Sequence, residues 1–119
     1  MDPAVLTPAD LAQYVAALTR NGFFGPDSWY MNHRANAAYT ATKANHRLDM
    51  PVLFLDARYD FVCYTVEGRL AEPMLALCPN LTRHAIDCGH WMAQQCPREV
   101  NAAVTKWLAT KSGAWSYGF

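Results

Sequence analysis

The sequence predicts an α/β fold in which a helical N-terminal segment precedes two parallel strands. Two short apolar runs, over residues 50–57 and 81–86, carry this prediction, and a helical pattern separates them. Continuous apolar runs bounded by turn residues are typical of strands that are buried on both faces. Strand, helix and strand in this order form a right-handed crossover with parallel strands. Residues 48–111 are therefore expected to form the core, with an incomplete sheet of two strands.

Residues 1–47 are expected to form a helical segment that precedes this core. Its first helix should start at Thr7-Pro8-Ala9-Asp10, where threonine can cap, proline suits the first helical position and the acid favours the helix dipole. Asn21-Gly22 should end the helix. Apolar residues recur at the spacing of one buried helix face, namely Leu11, Tyr14, Val15 and Leu18.

A loop over residues 22–26 leads into a second predicted helix over residues 27–36, which carries Tyr30. The phenol of Tyr30 can pack in a core with its hydroxyl on a backbone carbonyl. Alternatively, it can donate a hydrogen bond to an oxygen that gains charge during a reaction. A polar, alanine-rich helix should follow over residues 35–47, with His33 and His46 on solvated surface.

The first apolar run ends just before Asp60, which stands between Tyr59 and Phe61. A turn aspartate that accepts local backbone hydrogen bonds is one interpretation of this position. The next helix is predicted over residues 65–77, and Pro73 should kink or divide it. His84 lies within the second predicted strand and is interpreted as structural or exposed.

The segment Asp87-Cys88-Gly89-His90-Trp91 follows the second predicted strand. Gly89 should allow a tight turn, which would place His90 at the carboxyl end of the strand, where open α/β sheets bind their ligands. Histidine can take and return a proton near neutral pH, although a histidine that only packs at a turn is the alternative. Asp60, in the matching place after the preceding strand, favours a functional pair.

The last predicted helix covers residues 97–111, and residues 112–119 are expected to be a frayed tail. Pro97 suits the first helical turn. An apolar stripe on this helix should lie on the sheet, and it consists of Val100, Ala103, Val104, Trp107 and Leu108.

Composition excludes several classes of function. Lys and Arg balance Asp and Glu at 10 each, so no basic surface for nucleic acid is expected. No apolar run approaches the ~20 residues that span a bilayer. The 4 cysteines form no C-x-x-C pair and no cluster with histidine, which favours reduced thiols in a cytoplasmic protein. No metal or organic cofactor is expected.

Three segments together resemble the C-terminal part of epoxide hydrolases of the α/β-hydrolase fold. Residues 22–32 resemble the cap-domain segment that supplies a substrate-polarising tyrosine. Residues 56–62 resemble the acid loop after the seventh strand, and residues 87–91 resemble the histidine loop after the eighth. The acid and histidine loops recur across α/β hydrolases, whereas the tyrosine segment narrows the resemblance to epoxide hydrolases.

The resemblance implies a catalytic triad in which an aspartate attacks the epoxide and forms an alkyl-enzyme ester. Tyr30, with a second cap tyrosine, would donate to the epoxide oxygen. His90 would activate the water that hydrolyses the ester, and Asp60 would hold the imidazole in its tautomer and orientation. The substrate would be a small apolar epoxide, which water converts to a vicinal diol. Aromatic residues that could line its pocket are Trp29, Phe61 and Trp91.

The nucleophile implied by the resemblance has no counterpart in the sequence. In this fold the triad runs nucleophile, acid, histidine along the chain, and the sequence contains no Gly-x-(Ser or Asp)-x-Gly elbow. The chain is therefore expected to be a fragment that is inactive by itself, with a missing N-terminal half or a homodimer partner as candidate completions. An isolated two-strand unit should also be marginally stable.

Two alternatives stay open at this stage. A dehalogenase or another α/β-hydrolase fragment also uses an aspartate nucleophile with a histidine base, but a halide leaving group does not need a phenol such as Tyr30. A non-catalytic remnant or binding module would retain the pocket residues for packing.

Overall fold

The computed structural model describes residues 2–43 and 46–111. These residues fall into two compact units, one that ends at His46 and one that begins at Arg47. The tail predicted over residues 112–119 lies outside the described residues. Within the described ranges, every helix is too short or too polar to act as a transmembrane span.

The first unit contains three helices, α1 (Pro8–Asn21), α2 (Phe24–Met31) and α3 (His33–Ala41). The predicted start of α1 is confirmed, and a reciprocal capping box holds it. The amide of Asp10 donates to the Thr7 hydroxyl at 3.2 Å, and the amide of Thr7 donates to the Asp10 carboxylate at 3.0 Å. The helix ends at Gly22, which adopts a φ of 71° that favours glycine.

The predicted boundaries of the next two helices are wrong. Helix α2 begins at Phe24 instead of 27, because Pro26 fits within a first helical turn, where its missing N–H is not needed. Asn32 then interrupts the helical pattern, with φ −91° and ψ 6°. Helix α3 ends at Ala41 rather than 47, where the Thr42 hydroxyl donates to the Tyr39 carbonyl at 2.7 Å. A short polar side chain can compete in this way for the last helical carbonyls.

The apolar face predicted for α1 is present in sequence but is not buried. Its residues Leu11, Tyr14 and Val15 are 41%, 51% and 55% exposed, and Leu18 is half-buried. The prediction of burial was wrong for the described residues because a periodic pattern specifies which face is apolar and does not supply a covering element.

The second unit is built on a two-stranded parallel sheet of β1 (Val52–Ala57) and β2 (Leu81–Ile86). The strands pair without a slip, from Val52 opposite Leu81 to Ala57 opposite Ile86. Both strands and their parallel pairing were predicted from the sequence, as was the incomplete sheet. The remaining elements are a 3₁₀ turn (Arg69–Ala71), α4 (Glu72–Leu77), α5 (Met92–Gln95) and α6 (Pro97–Lys111).

The connection between the strands is less helical than predicted. The 3₁₀ turn begins at Arg69 and α4 at Glu72, not at 65, so Pro73 lies in the first turn of α4. Proline is favoured there, and it starts this helix instead of kinking it. The bounds of α6 match the prediction, whereas the short helix α5 was not predicted.

One face of the sheet carries the core of the second unit. Ala57, Ile86 and Cys88 form its buried centre. Partly buried residues from β1, from α5 and α6 and from the position between these helices pack against them, namely Leu55, Met92, Cys96 and Val100. Farther along α6, the Trp107 indole donates to the Thr82 hydroxyl at 3.2 Å. In the predicted stripe of α6, Leu108 is 47% exposed and so contributes less than the sequence indicated.

The described residues bury little apolar surface. Their buried apolar side chains are small or medium in size, namely Ala57, Ala71, Cys78, Ile86 and Cys88. Each large aliphatic side chain that is buried contributes about 1.5–3 kcal/mol, so this core contributes little against the entropy of the ordered chain. The chain is therefore expected to be marginally stable by itself.

The full chain should unfold in urea with a free energy below the ~5 kcal/mol that is usual for small domains. Circular dichroism and intrinsic fluorescence over one urea series would measure it. A cooperative, reversible thermal transition of the monomer well above room temperature would contradict this expectation.

Candidate active site

Two loops leave the same edge of the sheet, and backbone hydrogen bonds hold them side by side. We call residues 58–64, after β1, the acid loop, and residues 87–91, after β2, the histidine loop. The amide of Arg58 donates to the Ile86 carbonyl at 2.9 Å, and the amide of Tyr59 donates to the Cys88 carbonyl at 3.0 Å. The backbone hydrogen bonding between the two strands thus continues into the loops. It therefore fixes the positions of the loop residues that come next in each chain segment.

The structure brings Asp60 and His90 together at this edge. Nδ1 of His90 lies 2.9 Å from Oδ2 of Asp60. The carboxylate side chain is 9% exposed and the imidazole side chain is 41% exposed, so one partner is buried while the other reaches solvent. The rings of His90 and Trp91 meet edge to face, with centroids 5.2 Å apart.

Asp60 uses its two oxygens for two different purposes. Oδ1 accepts hydrogen bonds from the amides of Val62 and Cys63, both at 2.9 Å, while Oδ2 faces the imidazole. The bond from Cys63, followed by the contact with His90, holds the pKa of Asp60 below its ordinary value. The residue is therefore both a turn aspartate and the partner of the histidine, and it is ionised near neutral pH.

The histidine loop is fixed by side chains rather than by an unusual glycine conformation. Among the described glycines, Gly22 is the one with a positive φ. The turn at Gly89 therefore does not require the left-handed backbone conformation that favours glycine. The Gly89 amide donates to Oε1 of Gln95 at 2.9 Å. A Cβ atom at Gly89 would lie 3.1 Å from the same oxygen, so a larger residue at this position would require the Gln95 side chain to shift by a few tenths of an ångström.

Cys88 is the residue of the histidine loop that is buried in the core. It is 2% exposed and belongs to the buried centre of the core. Burial, reinforced by the Cys96 thiol, raises its pKa to about 11. The thiol therefore stays protonated and packs as an apolar group. The 4 cysteines are free thiols in the structure.

Sequence reasoning missed a buried ion pair at the end of β1. Arg83 donates from Nη2 to Oδ1 of Asp56 at 2.6 Å and from Nε to Oδ2 at 2.9 Å. The Thr65 hydroxyl also donates to Oδ1, at 2.6 Å. Burial would by itself raise the pKa of Asp56, but Arg83 and Thr65 outweigh it and the pKa is lowered. A carboxylate inside a predicted buried strand was the available signal, because it needs a partner.

A second, exposed ion pair connects the two loops. Nε of Arg58 lies 2.5 Å from Oδ1 of Asp87, with side chains that are 45% and 70% exposed. Solvent screens such a pair, so it contributes little to stability. It nevertheless spans the acid and histidine loops at their outer side.

The remaining predicted site residues are exposed aromatic side chains. Trp29 and Tyr30 lie on α2 of the first unit and are 69% and 68% exposed. Phe61 is 89% exposed and Trp91 is 64% exposed. Phe61 borders an open cavity of about 320 Å³ whose other lining residues are Arg58, Tyr59, Tyr64 and Glu67. In the described part of the chain, no three His, Cys, Asp or Glu side chains are grouped to hold a metal ion.

Parallel strands with an acid after one and a histidine after the next are arranged as expected for the C-terminal part of the α/β-hydrolase fold. Comparison with known proteins shows which hydrolases the chain resembles. The chain is 31% identical over 108 residues to bifunctional epoxide hydrolase 2 of Rattus norvegicus, across 90% of this chain and 19% of that protein. It is 34% identical over 108 residues to epoxide hydrolase A of Mycobacterium tuberculosis, across 89% of this chain and 33% of that protein.

Solved structures agree with the sequence comparison. A mutant of the Vigna radiata epoxide hydrolase superposes with a TM-score of 0.74 at 25% identity, across 92% of this chain and 36% of that one. No family model matches the chain. The predicted resemblance to the C-terminal part of an epoxide hydrolase is confirmed, and the chain spans between about a fifth and a third of the length of these curated relatives.

The lowered pKa of Asp60 predicts a loss of stability in acid. Because the folded pKa lies below the ordinary value of about 3.9, the stabilising contribution is fully present above that pH. It is lost as the pH falls through the folded pKa. Urea unfolding as a function of pH should show this decline in the unmodified chain and a shallower decline in Asp60→Asn.

Asp49→Asn is the matched control, because Asp49 forms an exposed ion pair with Arg47. It should reproduce the acid dependence of the unmodified chain. Equal slopes for Asp60→Asn and the unmodified chain below about pH 4 would show that Asp60 is not held as described.

Proposed function

We propose that this chain supplies the acid, the histidine base and a cap tyrosine of an epoxide hydrolase, which converts an epoxide and water to a vicinal diol. The observation that carries the proposal is the 2.9 Å contact between Nδ1 of His90 and Oδ2 of Asp60. The similarity to epoxide hydrolases gives that pair its reaction, since an acid–histidine pair alone serves many hydrolases.

In the proposed reaction, His90 acts as the base that activates water. Asp60 accepts a hydrogen bond from the Nδ1–H group, so the other ring nitrogen is left unprotonated and can take a proton from water. The water oxygen then attacks the carbonyl carbon of an alkyl-enzyme ester. The bond from that carbon to the alkoxide oxygen breaks, the imidazolium returns its proton to the alkoxide, and the diol leaves while the carboxylate is regenerated. Asp60 stabilises the imidazolium that forms, and its own lowered pKa keeps it ionised.

Tyr30 is proposed to donate its phenolic proton to the epoxide oxygen while the ring opens. Exposure of Tyr30 on α2 supports this role, because its hydroxyl is not buried in the core of its own unit. We assign Trp29, Phe61 and Trp91 to the apolar lining of the substrate site, and their exposed rings are available for that purpose.

The attacking carboxylate is proposed to come from another polypeptide segment. The sequence has no elbow motif that could present it, so a second copy of this chain could not supply it either. A segment that corresponds to the N-terminal part of an epoxide hydrolase is the partner we propose. The free thiols support a cytoplasmic location for the assembly.

An activity assay should separate this function from that of a non-catalytic binding module. The chain alone should not hydrolyse a styrene-oxide-like substrate, whereas a mixture with an N-terminal segment that carries an aspartate elbow should form the diol. A dehalogenase would instead release halide from a haloalkane in the same mixture. Absence of both products from a folded, assembled mixture would leave the binding module as the function.

Replacement of His90 should block the second half of the reaction. In the assembled mixture, His90→Gln should stop diol formation while the alkyl-enzyme ester accumulates on the N-terminal segment. Intact-protein mass spectrometry would detect the ester as an added mass of one substrate molecule. Diol formation at the unmodified rate would exclude His90 as the base.

Replacement of Tyr30 should slow the first half of the reaction instead. Tyr30→Phe should reduce the rate of ester formation by about 100-fold or more, as expected for loss of a donor to a developing oxyanion. Tyr39→Phe is the matched control, because Tyr39 is likewise an exposed tyrosine of the first unit. Single-turnover kinetics of ester formation would compare the two, and equal rates would remove Tyr30 from the mechanism.

A further inference from the structure

The acid loop is joined at its base by a polar network. Asp56 precedes the loop and Thr65 follows it, and the Thr65 hydroxyl donates to Oδ1 of Asp56 at 2.6 Å. Arg83 binds both ends, since Nη2 donates to the Thr65 carbonyl at 2.8 Å and to Oδ1 of Asp56 at 2.6 Å. The start and the end of the loop are thereby connected to each other and to β2.

The network lies on the face of the sheet opposite the apolar core. Side chains alternate between the faces of a strand, and Asp56 alternates with the core residues Leu55 and Ala57. Asp56 is 3% exposed and the Arg83 side chain is 27% exposed. Bonds made in such surroundings are screened less by water than those of a surface pair.

Apolar burial does not hold the acid loop itself. Phe61 and Val62 are 89% and 72% exposed, and Cys63 is exposed. Polar contacts must therefore set the position of the loop, and Asp60 is the residue whose position matters for the site. Its bonds to the Val62 and Cys63 amides shape the loop from inside, while the network closes the base.

We propose that Arg83 is a positioning residue for the Asp60–His90 pair and that it acts by closing the base of the acid loop. The inference rests on the proposed function only insofar as that function requires the pair to be aligned. Arg83 is suited to the task because its planar fork donates to both carboxylate oxygens and to a carbonyl at fixed angles. Because Arg83 belongs to β2, which leads to His90, one side chain connects the acid loop to the strand that carries the base.

The test compares variants of the full chain by the NMR signal of the His90 Nδ1 proton. Arg83→Lys keeps the positive charge and loses the fork, so it separates geometry from electrostatics. We expect this proton to exchange with solvent about tenfold faster or more in Arg83→Lys. A change of this size is expected when the hydrogen bond from the imidazole to the charged Asp60 carboxylate is lost. The resonance should also move upfield as the contact with Asp60 loosens.

Two further variants keep the test decisive if a lone buried carboxylate prevents folding. The double variant Asp56→Asn with Arg83→Met removes both charges. Thr65→Val removes the hydroxyl and keeps a side chain of similar size. Both should accelerate the exchange in the same direction. Arg69→Lys is the matched control, because Arg69 also binds a carboxylate with two nitrogens but in an exposed pair with Glu72, and it should leave the resonance unchanged.

The inference is overturned if Arg83→Lys and Thr65→Val, with unchanged Ile86 methyl signals, retain the exchange rate of the unmodified chain. This readout does not depend on turnover. If the variants exchange the Nδ1 proton faster but the unmodified assembly forms no diol, the proposed function alone is rejected. Diol formation with an unaltered Nδ1 proton in the variants would reject the positioning role alone.

Discussion

The parallel register of two strands is the constraint on which the rest of the second unit depends. Since Val52 pairs with Leu81 and Ala57 with Ile86, both strands end at the same level, and two more backbone bonds carry the alignment into the loops. A slip by one residue would reverse the faces of one strand. The core contact of Ile86 and the bond between Asp60 and His90 would then be lost together. Packing and site geometry are thus consequences of one alignment.

The parts of the fold that depend on local chemistry could be predicted from the sequence. The capped start of α1 and the bounds of β2 and α6 follow from side chains adjacent to each boundary. The connection before α4 was predicted as helical too early, because the contacts of Thr65 with Asp56 and Arg83 fix that segment from elsewhere in the chain. Local propensity does not contain such distant contacts.

In the candidate site, too, some features follow from the local sequence and others depend on distant contacts. The order of strand, acid, strand and histidine was sufficient to place Asp60 and His90 at one edge, but the double use of the Asp60 carboxylate required coordinates. The Asp56–Arg83 pair spans 27 positions and joins residues that are offset along two neighbouring strands. Its detection requires the register, which the sequence alone does not supply. The exposed face of α1 likewise depends on what surrounds the helix and not on its own pattern.

The hydrogen bond from the Gly89 amide to Gln95 has a consequence for the proposed reaction. That amide directly precedes the histidine, and its hydrogen is already directed at a side-chain carbonyl. It is therefore not available to neutralise the negative oxygen of a tetrahedral intermediate. In the proposed reaction, residue 89 would contribute only through the backbone shape of the histidine loop, and the hydrogen bonds to the ester carbonyl would be donated by the segment that carries the ester.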